Sequence, residues 1–124
     1  MGMNNPIEKL LSHVVQTIFD KKGWNILLLD LRATGAMTDY VIIAEGTVDR
    51  HVNALCKAVI ERLEKEGLYS YRIEGQRTAD WIVLDYSDFV IHLFTPEFRE
   101  KYALEQLWHE AKIVDVNIMT GEHE

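Results

Sequence analysis

The stretch that decides the fold is YVIIAEGTVDRHV, residues 40–52. Its opening apolar run is typical of a β-strand that is covered on both faces. Gly46 and Thr47 end this strand and begin a helix, with Thr47 as the predicted N-cap and Asp49 in the first turn. Apolar side chains, from Val48 on, continue at helical spacing until the next glycine. A buried strand that leads into an amphipathic helix predicts a sheet with helices packed on it.

A second helix and strand precede this stretch. Asn5 is a predicted N-cap, Pro6 suits the first helical position, and Glu8 stands where a capping-box acid belongs. Apolar side chains then recur at helical spacing until Gly23, which we expect to end the helix. Residues 24–31 are mostly apolar and predict another buried strand.

The second half of the chain alternates short strands with turns. Strands are predicted at residues 69–74, 81–85 and 89–94, and a turn rich in Asp joins the last two. Thr95 and Pro96 begin a further helix. The apolar side chains expected to fold back onto the body of the domain after it are Leu104, Leu107 and Trp108.

This order of elements predicts an α/β (α+β) fold. We expect a single domain with a mixed sheet of about five strands and helices packed on its faces. The domain is expected to span residues 1–110, and residues 111–124 to form a C-terminal tail that is partly loose, with a loose tip.

Composition and charge restrict the partners of the chain. The formal net charge is −7, which argues against extended contact with nucleic acid and favours a basic protein partner. No apolar run approaches the roughly 18 to 20 residues that span a bilayer. The N-terminus lacks the layout of a signal or transit peptide, and Cys56, the single cysteine, cannot form an internal disulfide. We therefore expect a cytoplasmic protein without membrane association.

The usual patterns of catalytic and metal sites are missing from the sequence. No two histidines have the i, i+4 spacing of a zinc site, and Cys56 lies on an apolar helix stripe, where a thiol is inert. We expect no metal, no cofactor and no enzymatic activity. One alternative stays open: a nucleotidyltransferase-like enzyme or nucleotide-binding protein, with phosphates at Gly46 and Thr47 and magnesium at Asp85 and Asp88. The turn itself also explains both aspartates.

Residues 74–100 combine acidic and aromatic side chains. Trp81 lies among carboxylates, a composition expected of an interface with a basic protein, although Trp81 could equally pack in the core. His92 lies on the same strand face as Val90 and Phe94, and both a functional and a purely structural role fit it.

Four motifs resemble those of the ribosomal silencing factor family, also called the Iojap family. They are TDYVIIAEGT at residues 38–47 with RHV at 50–52, EG at 74–75 with DWIVLDY at 80–86, VIHLF at 90–94, and YALEQLW at 102–108. The resemblance implies a nucleotidyltransferase-like fold without the catalytic pattern of those enzymes. It also implies binding to the fourteenth protein of the large ribosomal subunit, which blocks association with the small subunit. Relatives form homodimers, and organellar ones assist large-subunit biogenesis, so both are expectations here.

The resemblance also implies which residues contact the ribosome. By position, Trp81 matches the exposed tryptophan of the family's Asp-Trp motif and is the expected centre of the contact. The surrounding residues of the expected partner-binding set are Asp80, Asp85, Tyr86 and Asp88, followed by His92, Phe94 and Arg99. The residues of the first motif interpreted as mainly structural are Asp39, Thr47, Arg50 and His51.

Overall fold

Groups of strands separate the helices in the computed structural model, which describes residues 5–116 and 118–119. The helices are α1 (Pro6–Asp20), α2 (Asp49–Lys65) and α3 (Pro96–Tyr102), with a 3₁₀ turn at Leu104–Trp108. The strands are β1 (Trp24–Asp30), β2 (Tyr40–Glu45), β3 (Arg72–Glu74), β4 (Trp81–Asp85), β5 (Phe89–Phe94) and β6 (Lys112–Ile113). No helix in this part of the chain is both long and apolar enough to cross a membrane.

The strands form one mixed sheet in the order β3-β4-β5-β2-β1-β6. β2 and β5 are parallel, and every other neighbouring pair in this sheet is antiparallel. The predicted α+β architecture is confirmed. The sheet has one strand more than expected, because Lys112 and Ile113 pair with Asp30 and Leu29 at its edge. Two residues are too few to show a strand pattern in the sequence.

The helices α1 and α2 cover one face of the sheet, which we call the covered face. Strand side chains alternate between faces, so every second residue of β2, β4 and β5 points toward these helices. The covered-face residues with no exposed surface include Ile42, Ala44, Ile82, Leu84, Ile91 and Leu93. This face holds the larger part of the core.

The ends of α1 follow the predicted capping only in part. The Asn5 side chain accepts the N–H groups of Ile7 and Glu8, as a cap should. At the other end, Lys22 rather than Gly23 adopts the left-handed conformation, with φ 73°. Gly23 is needed for space instead, because a Cβ atom there would lie 2.4 Å from the Ile18 Cγ2 atom.

The start of α2 corrects the sequence prediction. Val48, and not Thr47, is the residue before the helix, and Val48 is 53% exposed rather than buried. The Thr47 N–H group donates to the His51 ring at 2.8 Å, so the side chain of His51 organises this turn. Gly67 ends the helix as predicted, with φ +80° and its N–H group bonded to the Glu64 carbonyl.

The opposite face, which we call the open face, is covered only in part. A smaller cluster forms there around Leu29, Val41, Ile43 and Phe94, against which residues from α3 and the 3₁₀ turn pack. Leu104 and Trp108 fold back onto this cluster as expected, whereas Leu107 is 68% exposed. In the tail, Val114, Val116 and Ile118 pack against the main core, and the predicted loose tip lies outside the described residues.

Candidate protein-binding surface

The alternation of β4 and β5 determines which predicted site residues reach the open face. Ile82 and Leu84 point toward the helices, so Trp81, Val83 and Asp85 point away from them. In the antiparallel pairing, Trp81 lies opposite Phe94 and Val83 lies opposite His92. The open face therefore brings together three of the predicted residues, namely Trp81, His92 and Phe94.

These residues and Tyr102 form an aromatic cluster, here called the indole cluster. The Trp81 ring stacks on Phe94 with centroids 5.1 Å apart and contacts the Tyr102 ring at 4.9 Å. Its Nε1–H group donates a hydrogen bond to the His92 Nδ1 atom at 3.0 Å. Trp81 is partly buried, so it combines a packing role with an exposed edge.

His92 is an uncharged acceptor in this cluster. Burial lowers the pKa of its imidazole to about 4. The ring is therefore neutral near pH 7, and because Nδ1 accepts from the indole, the proton lies on Nε2. The rings of Phe94 and Trp108 each lie 6.1 Å away, measured between centroids.

A groove of about 660 Å³ continues the open face beyond Trp108. Its walls include Tyr71 and Met37, whose side chains are 75% and 103% exposed. Asp85 and Val90 line it next to the turn between β4 and β5. The remaining lining residues are Leu31, Ala36, Thr38 and Ser87. An exposed aromatic and apolar groove of this kind suits a protein partner better than a charged ligand.

Sequence reasoning did not assign Met37, Tyr71 and Trp108 to the candidate binding surface. Trp108 connects the groove to the indole cluster, because it lines the first and packs against His92 of the second. Tyr71 precedes β3 instead of lying within the predicted strand at 69–74. One sequence pattern could have indicated an exposed apolar residue at this surface: Met37 lies in a turn-rich segment, two residues after Gly35.

The predicted acidic residues occupy different places. Asp85 reaches the groove, where its carboxylate accepts the Ser87 N–H group at 2.8 Å. Asp88 is exposed in the turn between β4 and β5. Asp80 directly precedes β4, and its carbonyl accepts the Thr95 N–H group at 3.0 Å. Of these acidic residues, Asp85 is the one that lines the groove.

Tyr86 and Arg99 lie away from the indole cluster. Tyr86 packs against the main core and stacks on Phe89 with centroids 5.0 Å apart, and burial raises the pKa of its hydroxyl to about 12. Arg99 is buried and forms an ion pair with Glu45 at 3.4 Å, while its guanidinium also donates to the Asn25 carbonyl. Arg99 therefore attaches α3 to the ends of β1 and β2.

The geometry offers little to the nucleotide-binding alternative. The Gly46 N–H group donates to the Phe94 carbonyl at 2.9 Å, and the Thr47 N–H group is bonded to His51. Neither group is free to hold a phosphate. Among the described residues, no group of three or more His, Cys, Asp or Glu side chains is arranged to hold a metal ion.

Two of the residues interpreted as structural, His51 and Asp39, connect elements. The His51 Nε2 atom lies 2.8 Å from the Lys21 carbonyl, so its ring bridges the end of α1 and the start of α2. Asp39 accepts the Leu31 N–H group through its carbonyl, and its own N–H group donates to the Asp88 carbonyl at 3.1 Å. Arg50 is exposed at the start of α2.

Comparison with known proteins relates the chain to one family. A family model described as "ribosomal silencing factor during starvation" matches residues 4–124. A ribosomal silencing factor from Zymomonas mobilis is 37% identical over 82% of this chain and 76% of its own length. Mouse "mitochondrial assembly of ribosomal large subunit protein 1" is 39% identical over 77% of this chain and 43% of its own length.

The fold agrees with the sequence comparison. A crystal structure of a protein from Chromobacterium violaceum superposes with a TM-score of 0.79 and 26% sequence identity. The match covers 94% of this chain and 96% of that one. The chain belongs to the ribosomal silencing factor family.

Proposed function

We propose that this protein represses translation by binding the large ribosomal subunit through its fourteenth ribosomal protein and sterically blocking association with the small subunit. The observation that carries the proposal is the open face, where Trp108 lines the apolar groove and contacts His92, the hydrogen-bond partner of the partly exposed Trp81. The printed name of the mouse relative refers to assembly of the large subunit. Assistance in large-subunit biogenesis is therefore part of the proposal.

The shape of the open face supports a protein partner. Trp81 and Trp108 provide large aromatic surfaces, and Tyr71 and Met37 extend them at the rim. Aromatic side chains and methionine are enriched at protein interfaces, and a few aromatic anchors typically carry most of the binding energy. The residues that support binding are thus concentrated on a face that the helices α1 and α2 leave open.

Charge supports contact with protein rather than RNA. The net charge of −7 disfavours a broad approach to phosphates, and Asp85 and Asp88 lie at one end of the open face. A basic ribosomal protein would be attracted to this end, which mainly speeds association. We expect little direct contact with ribosomal RNA.

The mechanism is steric and needs no chemistry. A standard protein interface buries about 1,600 Å² in total, which a domain of this size can provide. Once the protein is bound where the small subunit docks, its bulk prevents the two subunits from meeting. No cofactor is needed, and a homodimer is compatible with the mechanism as long as the open face stays accessible.

Sucrose-gradient sedimentation of the purified protein with separated ribosomal subunits tests the proposal. We expect the protein to sediment with the large subunit and not with the small one, and an excess of protein to reduce formation of joined ribosomes. Cosedimentation with the small subunit alone, or undiminished joining at saturating protein, contradicts the proposal.

A matched pair of tyrosines locates the contact. Tyr71 lines the groove and is 75% exposed, whereas Tyr69, which is absent from the groove walls, is 70% exposed. We expect Tyr71→Ala to weaken large-subunit binding by about tenfold or more, because interface tyrosines often contribute over 1 kcal/mol. Tyr69→Ala should bind like the wild type. Equal affinities for the two variants would move the contact away from the groove.

Trp81→Ala should remove a central contact at a cost of about 2 kcal/mol or more of binding free energy. Because Trp81 also packs on Phe94, its thermal unfolding must be measured alongside binding. A folded Trp81→Ala variant that cosediments normally would show that Trp81 is not the centre of the contact.

A further inference from the structure

We propose that His92 is a positioning residue, which fixes the indole of Trp81 for the partner instead of contacting the partner itself. The inference rests on the proposed function, in which Trp81 is a central contact. The inference concerns the orientation of the indole ring, which can be measured separately from ribosome binding.

The hydrogen bond between the two side chains crosses the sheet diagonally. Trp81 lies opposite Phe94 in the pairing of β4 and β5, and His92 lies opposite Val83, two residues along. Long side chains in such diagonal positions can meet. The indole ring has a single donor, Nε1–H, and it is directed at the His92 Nδ1 atom at 3.0 Å.

Stacking alone does not select one orientation of the indole. The Trp81 ring lies against Phe94 and Tyr102, and contacts of this kind are compatible with a ring turned over about its Cβ–Cγ bond. A turned ring would direct Nε1–H away from the imidazole. The directional hydrogen bond to His92 therefore selects the orientation in which the surface of Trp81 is presented.

The imidazole can accept this hydrogen bond because it is neutral. Burial holds the pKa of His92 at about 4, so Nδ1 keeps its lone pair at physiological pH. The rings of Phe94 and Trp108 pack near the imidazole and hold it in place.

This arrangement determines what Trp81 can offer a partner. Because the indole N–H group is used within the protein, the ring presents its apolar and π surface rather than a hydrogen-bond donor. Such a surface suits the aliphatic stem or the cationic end of a Lys or Arg side chain, both abundant in a basic protein. A backbone carbonyl seeking a donor would find none on this ring.

The test compares two substitutions at His92. His92→Leu removes the acceptor and keeps an apolar side chain, whereas His92→Asn offers a side-chain oxygen close to the position of Nδ1. His13→Leu makes the same leucine substitution on α1, where His13 is exposed. Each protein is labelled with ¹⁵N, the indole N–H resonance of Trp81 is identified by its loss in Trp81→Phe, and urea unfolding checks the fold.

We expect His92→Leu to shift the Trp81 indole resonance and speed its hydrogen exchange. Binding to large subunits should weaken about fivefold, the effect typical of one neutral hydrogen bond. His92→Asn should restore most of the resonance position and of the affinity. His13→Leu should leave both unchanged.

Several results would overturn the positioning role. Full affinity of a folded His92→Leu variant shows that the orientation of the indole does not matter. A His92→Asn variant with a restored resonance but weak binding shows that His92 contacts the partner directly. If the wild type itself does not bind large subunits, the proposed function fails before any variant is compared.

Discussion

The two faces of the sheet are built from the same strands but differ in what surrounds them. On the covered face, Ile82 and Leu84 of β4 have no exposed surface beneath α1 and α2. On the open face, their neighbour Trp81 is partly buried, and Tyr71 at the groove is largely exposed. The buried core is thus concentrated on one face, and the surface proposed for recognition lies on the other.

Strand register couples the two faces. A slip of one residue in β4 would place Trp81 under the helices and expose Ile82, because successive strand residues point in opposite directions. The hydrogen bond from Trp81 to His92 also favours this register, since it can form only with the observed pairing of β4 with β5. The surface proposed for binding therefore depends on the same strand pairing that builds the core.

The largest expected contrast between the faces concerns unfolding. Leu55 lies on α2 with no exposed surface, so Leu55→Ala leaves a cavity and should lower the free energy of unfolding by about 4 kcal/mol. Tyr71→Ala on the open face should change it by less than about 0.5 kcal/mol, as is usual for exposed positions. Urea denaturation followed by circular dichroism measures both.

The contrast fails if the two variants lose similar amounts of stability. Tyr69→Ala serves as a second exposed control, since Tyr69 is 70% exposed. A large loss in Tyr71→Ala alone would mean that the groove wall supports the fold, and its effect on ribosome binding would then need another interpretation.

The open face should also contribute to stability, but in a way that depends on pH. The folded pKa of His92 is about 4, below its ordinary value of 6.5, because burial disfavours the charged ring. Between these two pH values the unfolded chain binds a proton that the folded protein does not. Stability should therefore fall by up to about 3 kcal/mol as the pH decreases from about 6.5 to about 4.

His92→Asn isolates this contribution, because asparagine does not titrate. Urea midpoints of the wild type and the variant should differ by an amount that changes between pH 7 and pH 4.5. Carboxylates titrate in both proteins, so their effect cancels in the difference. A constant difference across this range would mean that the folded protein protonates His92 as readily as the unfolded chain does.

Much of the arrangement follows from sequence patterns with a local cause. The Asn5 cap, the strand–helix order and the common strand face of Val90, His92 and Phe94 all depend on spacing along the chain. Local patterns failed where distant residues compete. The His51 ring that accepts the Thr47 N–H group is also bonded to the carbonyl of the distant Lys21, and β6 exists because Lys112 pairs with Asp30 at the edge of the sheet.

In the predicted site, too, local patterns account for some residues and contacts between distant residues account for others. Strand alternation accounts for Asp85 on the open face and for Tyr86, the next residue, against the main core. Arg99 shares its segment with the indole cluster, but its ion pair with Glu45 joins two distant parts of the chain. No local pattern distinguishes a buried arginine of this kind from an exposed one.

The smallest expected effect is a gain of stability in the helix layer. Lys22 ends α1 with φ 73°, the conformation that Gly67 adopts at the end of α2 with φ +80°. In both helices the next N–H group, of Gly23 or Leu68, donates to a carbonyl in the last turn. Side chains with a Cβ atom are strained in this conformation and glycine is not, so Lys22→Gly should raise the free energy of unfolding by roughly 0.5 to 1 kcal/mol.

Ribosome binding serves as the control for Lys22→Gly. Because Lys22 follows α1 in the helix layer of the covered face, the substitution should leave binding unchanged. A decrease in the urea midpoint would show that the Lys22 side chain contributes more than its backbone conformation costs. A change in binding would show that the covered layer and the open face are not independent.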